Sequence, residues 1–311
     1  MHITLPKMFF QHSATGVLRR AILSLLGLAA LLATEAQAEE LRFLVGTQER
    51  RALVVNAAPT GPKRPFVIVL HGGRGSAEEM ERRTGFSNLA RRENFGVAYA
   101  EGTAWGSGAH AWNTGHLLRR QVGSADDIGY FDSLIDLLLK RYGADPARIY
   151  MTGGSNGAMM VFVYAVRRPE KLAAIAPVVG AMFSFQEMPK TPLPILMING
   201  AADEEVPLQG GMSQNRQVRA GQATPYKPLA ETVAFWVAAN RSQRTPITQT
   251  TGSVTTSTHN ALPGGAVTIS IVDSVGGHGW PGSVSRRGEN TPIAAFNGAD
   301  RIWSFFRTQH R

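Results

Sequence analysis

The chain has 311 residues, 43% of them hydrophobic, with 32 Lys and Arg against 23 Asp and Glu and no cysteine. That length supports a substantial buried core, while the lack of thiols excludes disulfide bracing, cysteine-held metals and cysteine nucleophiles. The formal charge of +9 is spread over separate arginine pairs such as Arg82-Arg83 and Arg119-Arg120 without a sustained basic run, so no nucleic-acid partner is expected.

Residues 1–38 read as an export signal: Lys7, Arg19 and Arg20 precede the apolar run "AILSLLGLAALLA", and "AQA" offers small residues for cleavage before Glu39. Arg19-Arg20 leaves the twin-arginine route open beside the general one. The run is too short to span a bilayer comfortably, so no membrane anchor is expected after cleavage, and the destination is extracellular or periplasmic. Losing Lys7, Arg19, Arg20 and Glu35 lowers the formal charge from +9 to +7. Residues 39–311 are then expected to form a single catalytic domain, acting as a monomer.

In chain order, "LRFLV" and "RALVVNA" suggest a leading antiparallel pair, and "PFVIVLHGG" a buried strand running into glycines. "GVAYAEG" follows as a short strand. Over 126–143 the helical spacing of Ile128, Phe131, Ile135, Leu138 and Leu139 predicts a helix closed by Gly143. "RIYMTGG" is a strand entering a serine turn, and "GAMMVFVYAVRR" a helix leaving it. "LAAIAPVVG", "LPILMING" and "AVTISIVDS" read as strands, with "PLAETVAFWVAAN" and "IAAFNGADRIWSFFRT" as helices. The Thr/Ser-rich stretch 245–265 is expected to be a hairpin inside the domain rather than a linker to a binding module. Alternating strands and helices predict an α/β fold with a mostly parallel central sheet covered by helices on both faces.

Residues Gly153-Gly154-Ser155-Asn156-Gly157 fit G-x-S-x-G, a pattern that exposes a serine at a strand-to-helix turn. A serine hydroxyl needs an imidazole to take its proton and a carboxylate to orient that imidazole. Asp203, Glu204 and Glu205 follow "LPILMING", and Asp203 is nearest the strand end. Of the downstream histidines, His259 lies in the polar stretch, His310 is penultimate, and His278 sits in "VGGHGWPG" after a strand. The order Ser155, Asp203, His278 is that of an α/β-hydrolase. Backbone N–H donors for the oxyanion are expected from Asn156 and from the loop after "VIVLHGG", with Gly73 or Arg74 as the second. Acyl transfer of this kind calls for no metal and no cofactor, and the partner is an ester substrate.

The segments "VIVLHGG", "AWN", "DDIGYFDSLID", "ARIYMTGGSNGAMM", "AAIAPVVG", "ADEEVP", "ETVAFWVAAN" and "GHGWPG" together resemble the poly(3-hydroxybutyrate) depolymerase family, whose relatives include feruloyl and acetylxylan esterases. The resemblance implies a secreted serine esterase with Ser155 as nucleophile, Asp203 as orienting acid, His278 as base, and Gly73 with Asn156 at the oxyanion. It also implies that Trp280, Trp112 and Asn113 contact substrate. Asp126 and Asp127 match the family's paired aspartates, for which N-capping of the long helix is a sufficient role. Two departures stand out: the cysteines many members carry after His-Gly and near Trp-Asn are replaced here, and no polymer-adhering module is visible. Hydroxyalkanoate oligomers or polymer are the expected substrate, with soluble oligomers favoured over solid. The alternatives are feruloyl or acetyl esters of plant polysaccharide and, from another class, a non-catalytic hydrolase-like binding protein.

Overall fold

A computed structural model of the chain describes residues 1–2, 38–56, 62–106, 108–184, 187–283 and 295–311. The expected export signal falls almost wholly outside the described residues. Residues 38–311 form one compact unit.

Twelve strands are present among the described residues: β1 Glu39–Val45, β2 Gln48–Val55, β3 Arg64–Leu70, β4 Gly96–Ala100, β5 Thr103–Trp105, β6 Ala109–Ala111, β7 Ala144–Gly154, β8 Ala174–Val178, β9 Ile195–Gly200, β10 Ile247–Thr251, β11 Val254–His259 and β12 Thr268–Asp273. Ten of them make one sheet in the order β1-β2-β4-β3-β7-β8-β9-β12-β11-β10, and β5 with β6 forms a separate hairpin. The pairs from β4 through β12 are parallel, and both margins are antiparallel. The Thr/Ser-rich stretch makes the hairpin β10/β11, which joins the sheet through β12.

The strands alternate between two cores. Phe66, Ile68 and Leu70 of β3 face the long helix α4 (Asp127–Arg141), α5 (Asn156–Arg167) and α7 (Leu229–Ala239). Val67 and Val69 face α1 (Ala77–Thr84), α2 (Phe86–Glu93) and α8 (Gly298–Phe306). Helices α1 and α2 have only 8 residues each and α3 (Arg119–Val122) only 4, too few for periodicity to mark them. The last helix starts later than "IAAFNGADRIWSFFRT" suggests, because the Asn297 side chain accepts from Asp300 N–H and caps it there.

The paired aspartates divide their work. Asp126 caps α4 by accepting from Gly129 N–H at 2.9 Å, whereas buried Asp127 pairs with buried Arg50 of β2 at 2.8 Å and accepts from Asn113 N–H at 2.7 Å. Capping therefore accounts for the first and not the second.

Candidate active site

The site gathers at the carboxyl ends of β3, β7, β9 and β12, the edge where open parallel sheets bind ligands. Ser155 stands between β7 and α5 with φ 54° and ψ −121°, a conformation that side-chain-bearing residues seldom adopt. Its N–H donates to Val178 O of β8 and its carbonyl accepts from Met159 N–H of α5, each at 3.0 Å, so the adjoining strand and the following helix hold the turn. The flanking glycines are required by contact instead. A Cβ on Gly157 would fall 2.5 Å from His71 O, and one on Gly153 would fall 2.8 Å from Leu70 Cβ. Small residues thus let α5 start against β3, and the strained dihedral falls on the serine itself.

Asp203 follows β9 and is buried. Its Oδ1 accepts from Glu205 N–H at 2.9 Å and Val206 N–H at 2.8 Å, while Oδ2 lies 2.8 Å from His278 Nδ1. His278 reaches that carboxylate because the loop after β12 is tied to the loop after β9: Ala201 N–H donates to Asp273 O at 2.8 Å and Ala202 N–H to Gly276 O at 2.9 Å. With Nδ1–H directed at the carboxylate, a neutral ring carries its lone pair on Nε2. Ser155, His278 and Trp280 line one cavity of about 490 Å³. His259 is committed elsewhere, its Nδ1 lying 2.8 Å from Gln243 O.

Hydrogen bonding separates the two donors that sequence alone leaves open. Arg74 N–H is taken by His110 O at 2.8 Å, and Gly75 N–H by Gly72 O at 3.1 Å. Gly73 N–H and Asn156 N–H, the latter at the first position of α5, have no acceptor among the described residues. The two residues are adjacent, since a Cβ on Gly73 would sit 3.7 Å from Asn156 Cβ.

The aromatic expectations divide. Trp280 lines the cavity, with its ring edge-on to Phe86 at 6.1 Å. Trp112 and Asn113 are not among the residues that line the cavity. Trp112 is fully buried; its indole N–H donates to His71 O at 2.9 Å, and its backbone N–H donates to Asn156 Oδ1 at 2.8 Å. A buried indole needs an acceptor, and it finds one behind the turn. The Asn113 side chain donates to Gly123 O and Ala125 O at 3.1 and 2.9 Å, a loop-bracing role.

Glu79, Arg83 and Asn215 of the cavity escape sequence reasoning. Glu79 pairs with Arg83 at 2.8 Å one turn along α1, and both line the cavity with Glu204, Glu205 and Asn215. Short spacing marks the first pair as a helical i,i+4 contact, but nothing in the sequence says which face it occupies. His71 beneath the loop is neutral, with burial pushing its pKa down to about 4. Its Nε2 accepts from Gly102 N–H at 2.9 Å, and its Nδ1 donates to Gly72 O at 2.7 Å. Among the described residues no group of His, Asp and Glu is arranged to hold a metal ion.

The family profile described as esterase PHB depolymerase matches residues 51–221, more than half of the chain. The putative esterase NocK of Nocardia uniformis subsp. tsuyamanensis is 33% identical over 257 residues, 78% of this chain and 74% of that protein. Feruloyl esterase B of Piromyces equi is 28% identical over 227 residues, 70% of this chain but only 40% of the relative's length. An acetyl xylan esterase structure from Aspergillus awamori superposes with a TM-score of 0.59 at 15% identity, covering 86% of this chain and 99% of that one. That likeness is one of fold, of the α/β-hydrolase type. With a profile match across the first donor loop and the serine turn, and a relative aligned over most of both chains, the chain belongs to the esterase PHB depolymerase family.

Proposed function

We propose that the protein is an exported serine esterase that hydrolyses carboxylic esters through an acyl-enzyme on Ser155, with hydroxyalkanoate oligomers or polymer as substrate. The observation that carries this reading is the 2.8 Å contact between Asp203 and His278 at the cavity that also holds strained Ser155. In the reaction, His278 Nε2 takes the proton of Ser155 Oγ as the oxygen attacks the ester carbonyl. Asp203 keeps Nδ1 protonated and stabilises the imidazolium that forms. The N–H groups of Gly73 and Asn156 receive the oxyanion, each donor contributing about 3 kcal/mol to the transition state. His278 then protonates the departing alcohol, and water repeats the sequence in reverse to release the acid.

Esters on polysaccharide are the second reading. It is favoured by the polar cavity wall of Glu79, Arg83, Glu204 and Asn215, whose side chains can pair with sugar hydroxyls, and feruloyl esterase B is among the similar proteins.

The test is mass spectrometry of acids released from a mixture of 3-hydroxybutyrate oligomers, methyl ferulate and acetylated xylan, by the exported protein and by Ser155→Ala. Release of 3-hydroxybutyrate that disappears in the variant is the expected result, and the same instrument should find the mature chain starting at Glu39. Serine-dependent release of ferulate or acetate alone would move the substrate to polysaccharide esters. Undiminished release by Ser155→Ala would overturn the mechanism.

A further inference from the structure

A second carboxylate lies against the imidazole of His278. Asp203 Oδ2 is 2.8 Å from Nδ1, and Glu205 Oε2 is 3.4 Å from Nε2, the nitrogen that would accept the serine proton. Glu205 is oriented for this contact from two sides. Its backbone N–H donates to Asp203 Oδ1 at 2.9 Å, and its other carboxylate oxygen accepts from Asn215 Nδ2 at 3.4 Å. Asn215 is fixed in turn as the cap of the short helix α6 (Arg216–Gly221), where its Oδ1 accepts from Gln217 N–H.

The two protonation states of His278 respond oppositely to this arrangement. A neutral ring turns its Nε2 lone pair toward a carboxylate oxygen, which is repulsive. An imidazolium presents N–H to both carboxylates, which is attractive. We propose that Glu205 is a positioning residue that retains a proton on resting His278 and thereby sets the pH above which the site becomes competent. The inference rests on the reading of His278 as general base.

Other charges face the same space. Glu204 and Arg74 line the cavity, as do Glu79 and Arg83, which form an ion pair. Tyr226 lies near Asp203 and Glu205, and burial with those two charges raises its pKa and keeps it neutral. Glu205 is the carboxylate with an oxygen at 3.4 Å from Nε2, so its charge acts at shorter range than that of its neighbours along the wall.

The sign follows directly. While Nε2 carries a proton it cannot accept one from Ser155, so the acid limb of the rate follows imidazolium deprotonation. A carboxylate that favours the imidazolium moves that limb to higher pH, and its removal moves the limb down. With 27% of the Glu205 side chain exposed, solvent weakens the effect, and about half to one pH unit is expected.

The experiment is an NMR titration of the His278 Cε1–H resonance in the intact protein and in Glu205→Gln, with the peak identified by its loss in His278→Gln. The acid limb of kcat/KM for 4-nitrophenyl acetate is measured alongside. The expected result is a midpoint lower by about half to one unit in Glu205→Gln by both readouts. In wild type, 1 M NaCl should also lower the midpoint more than it does in the variant, which tests the charge without relying on a substitution. An unchanged His278 midpoint with hydrolysis intact would overturn the inference and leave the esterase reading standing. A shifted midpoint in a protein whose hydrolysis ignores His278→Gln would support the Glu205 contact and overturn the reading of His278 as base.

Discussion

His71 is fully buried where β3 ends, and both ring nitrogens are engaged only if it is neutral: Nδ1–H donates to Gly72 O and Nε2 accepts from Gly102 N–H. Protonation would set a second N–H against the Gly102 donor, in keeping with a pKa lowered by burial to about 4. The unfolded chain binds this proton near pH 6.5, so the unfolded state takes up more protons between about pH 6.5 and 4, and stability must fall as pH drops through that window. At pH 4.5 the loss relative to pH 7 is about 2 kcal/mol from this residue alone. Urea unfolding at the two pH values should therefore show a smaller difference for His71→Gln than for wild type, by about that amount. Equal differences would mean that His71 takes up its proton as readily in the fold as in the unfolded chain. Because the ring grips the carbonyl of Gly72, the residue before the Gly73 donor, the same substitution is expected to loosen the loop that positions that donor.

At the scale of elements, the Arg50–Asp127 pair links β2 to α4 and, through Asn113 N–H, to the loop behind the serine turn. Arg50 also donates to Glu101 O at 3.2 Å and lies 4.4 Å over the Tyr130 ring. Asp127→Ala leaves that guanidinium charge buried and is expected to cost about 3–5 kcal/mol in urea unfolding. The double variant Arg50→Met/Asp127→Leu should lose less than the single one, since no charge is stranded; a larger loss would contradict this account. The elements legible in the sequence were those with long, strong patterns: the 15-residue helix α4, the buried runs of β3 and β9, and the strand-serine-helix turn. Helices α1 and α2 and the hairpin β5/β6 are short, and their stability comes from packing against distant strands. Trp112 shows the same limit for side chains. The family resemblance implied a place near substrate, while its acceptor at His71 O lies 41 positions away and the ring is in the core.

For the whole molecule, the parallel sheet explains how residues as far apart as Ser155, Asp203 and His278 come together. Each follows a different strand, β7, β9 and β12, and the parallel order delivers all three to one edge. The chain order of the three was readable because loops at that edge must supply them in sequence. The contact of Glu205 with Nε2 was not, because a side chain two residues past Asp203 can point to solvent or back at the ring, and only the turn held by Asn215 decides. Under the proposed function, everything rests on Ser155 as the nucleophile of an esterase. The most direct test of that role is fluorophosphonate labelling of the intact protein, with the adduct located by peptide mass spectrometry and hydrolysis of 4-nitrophenyl butyrate followed in parallel. A single adduct on Ser155, loss of hydrolysis in step with labelling, and neither labelling nor hydrolysis in Ser155→Ala are expected. An adduct on another residue, or hydrolysis that survives in the labelled protein, would contradict that role.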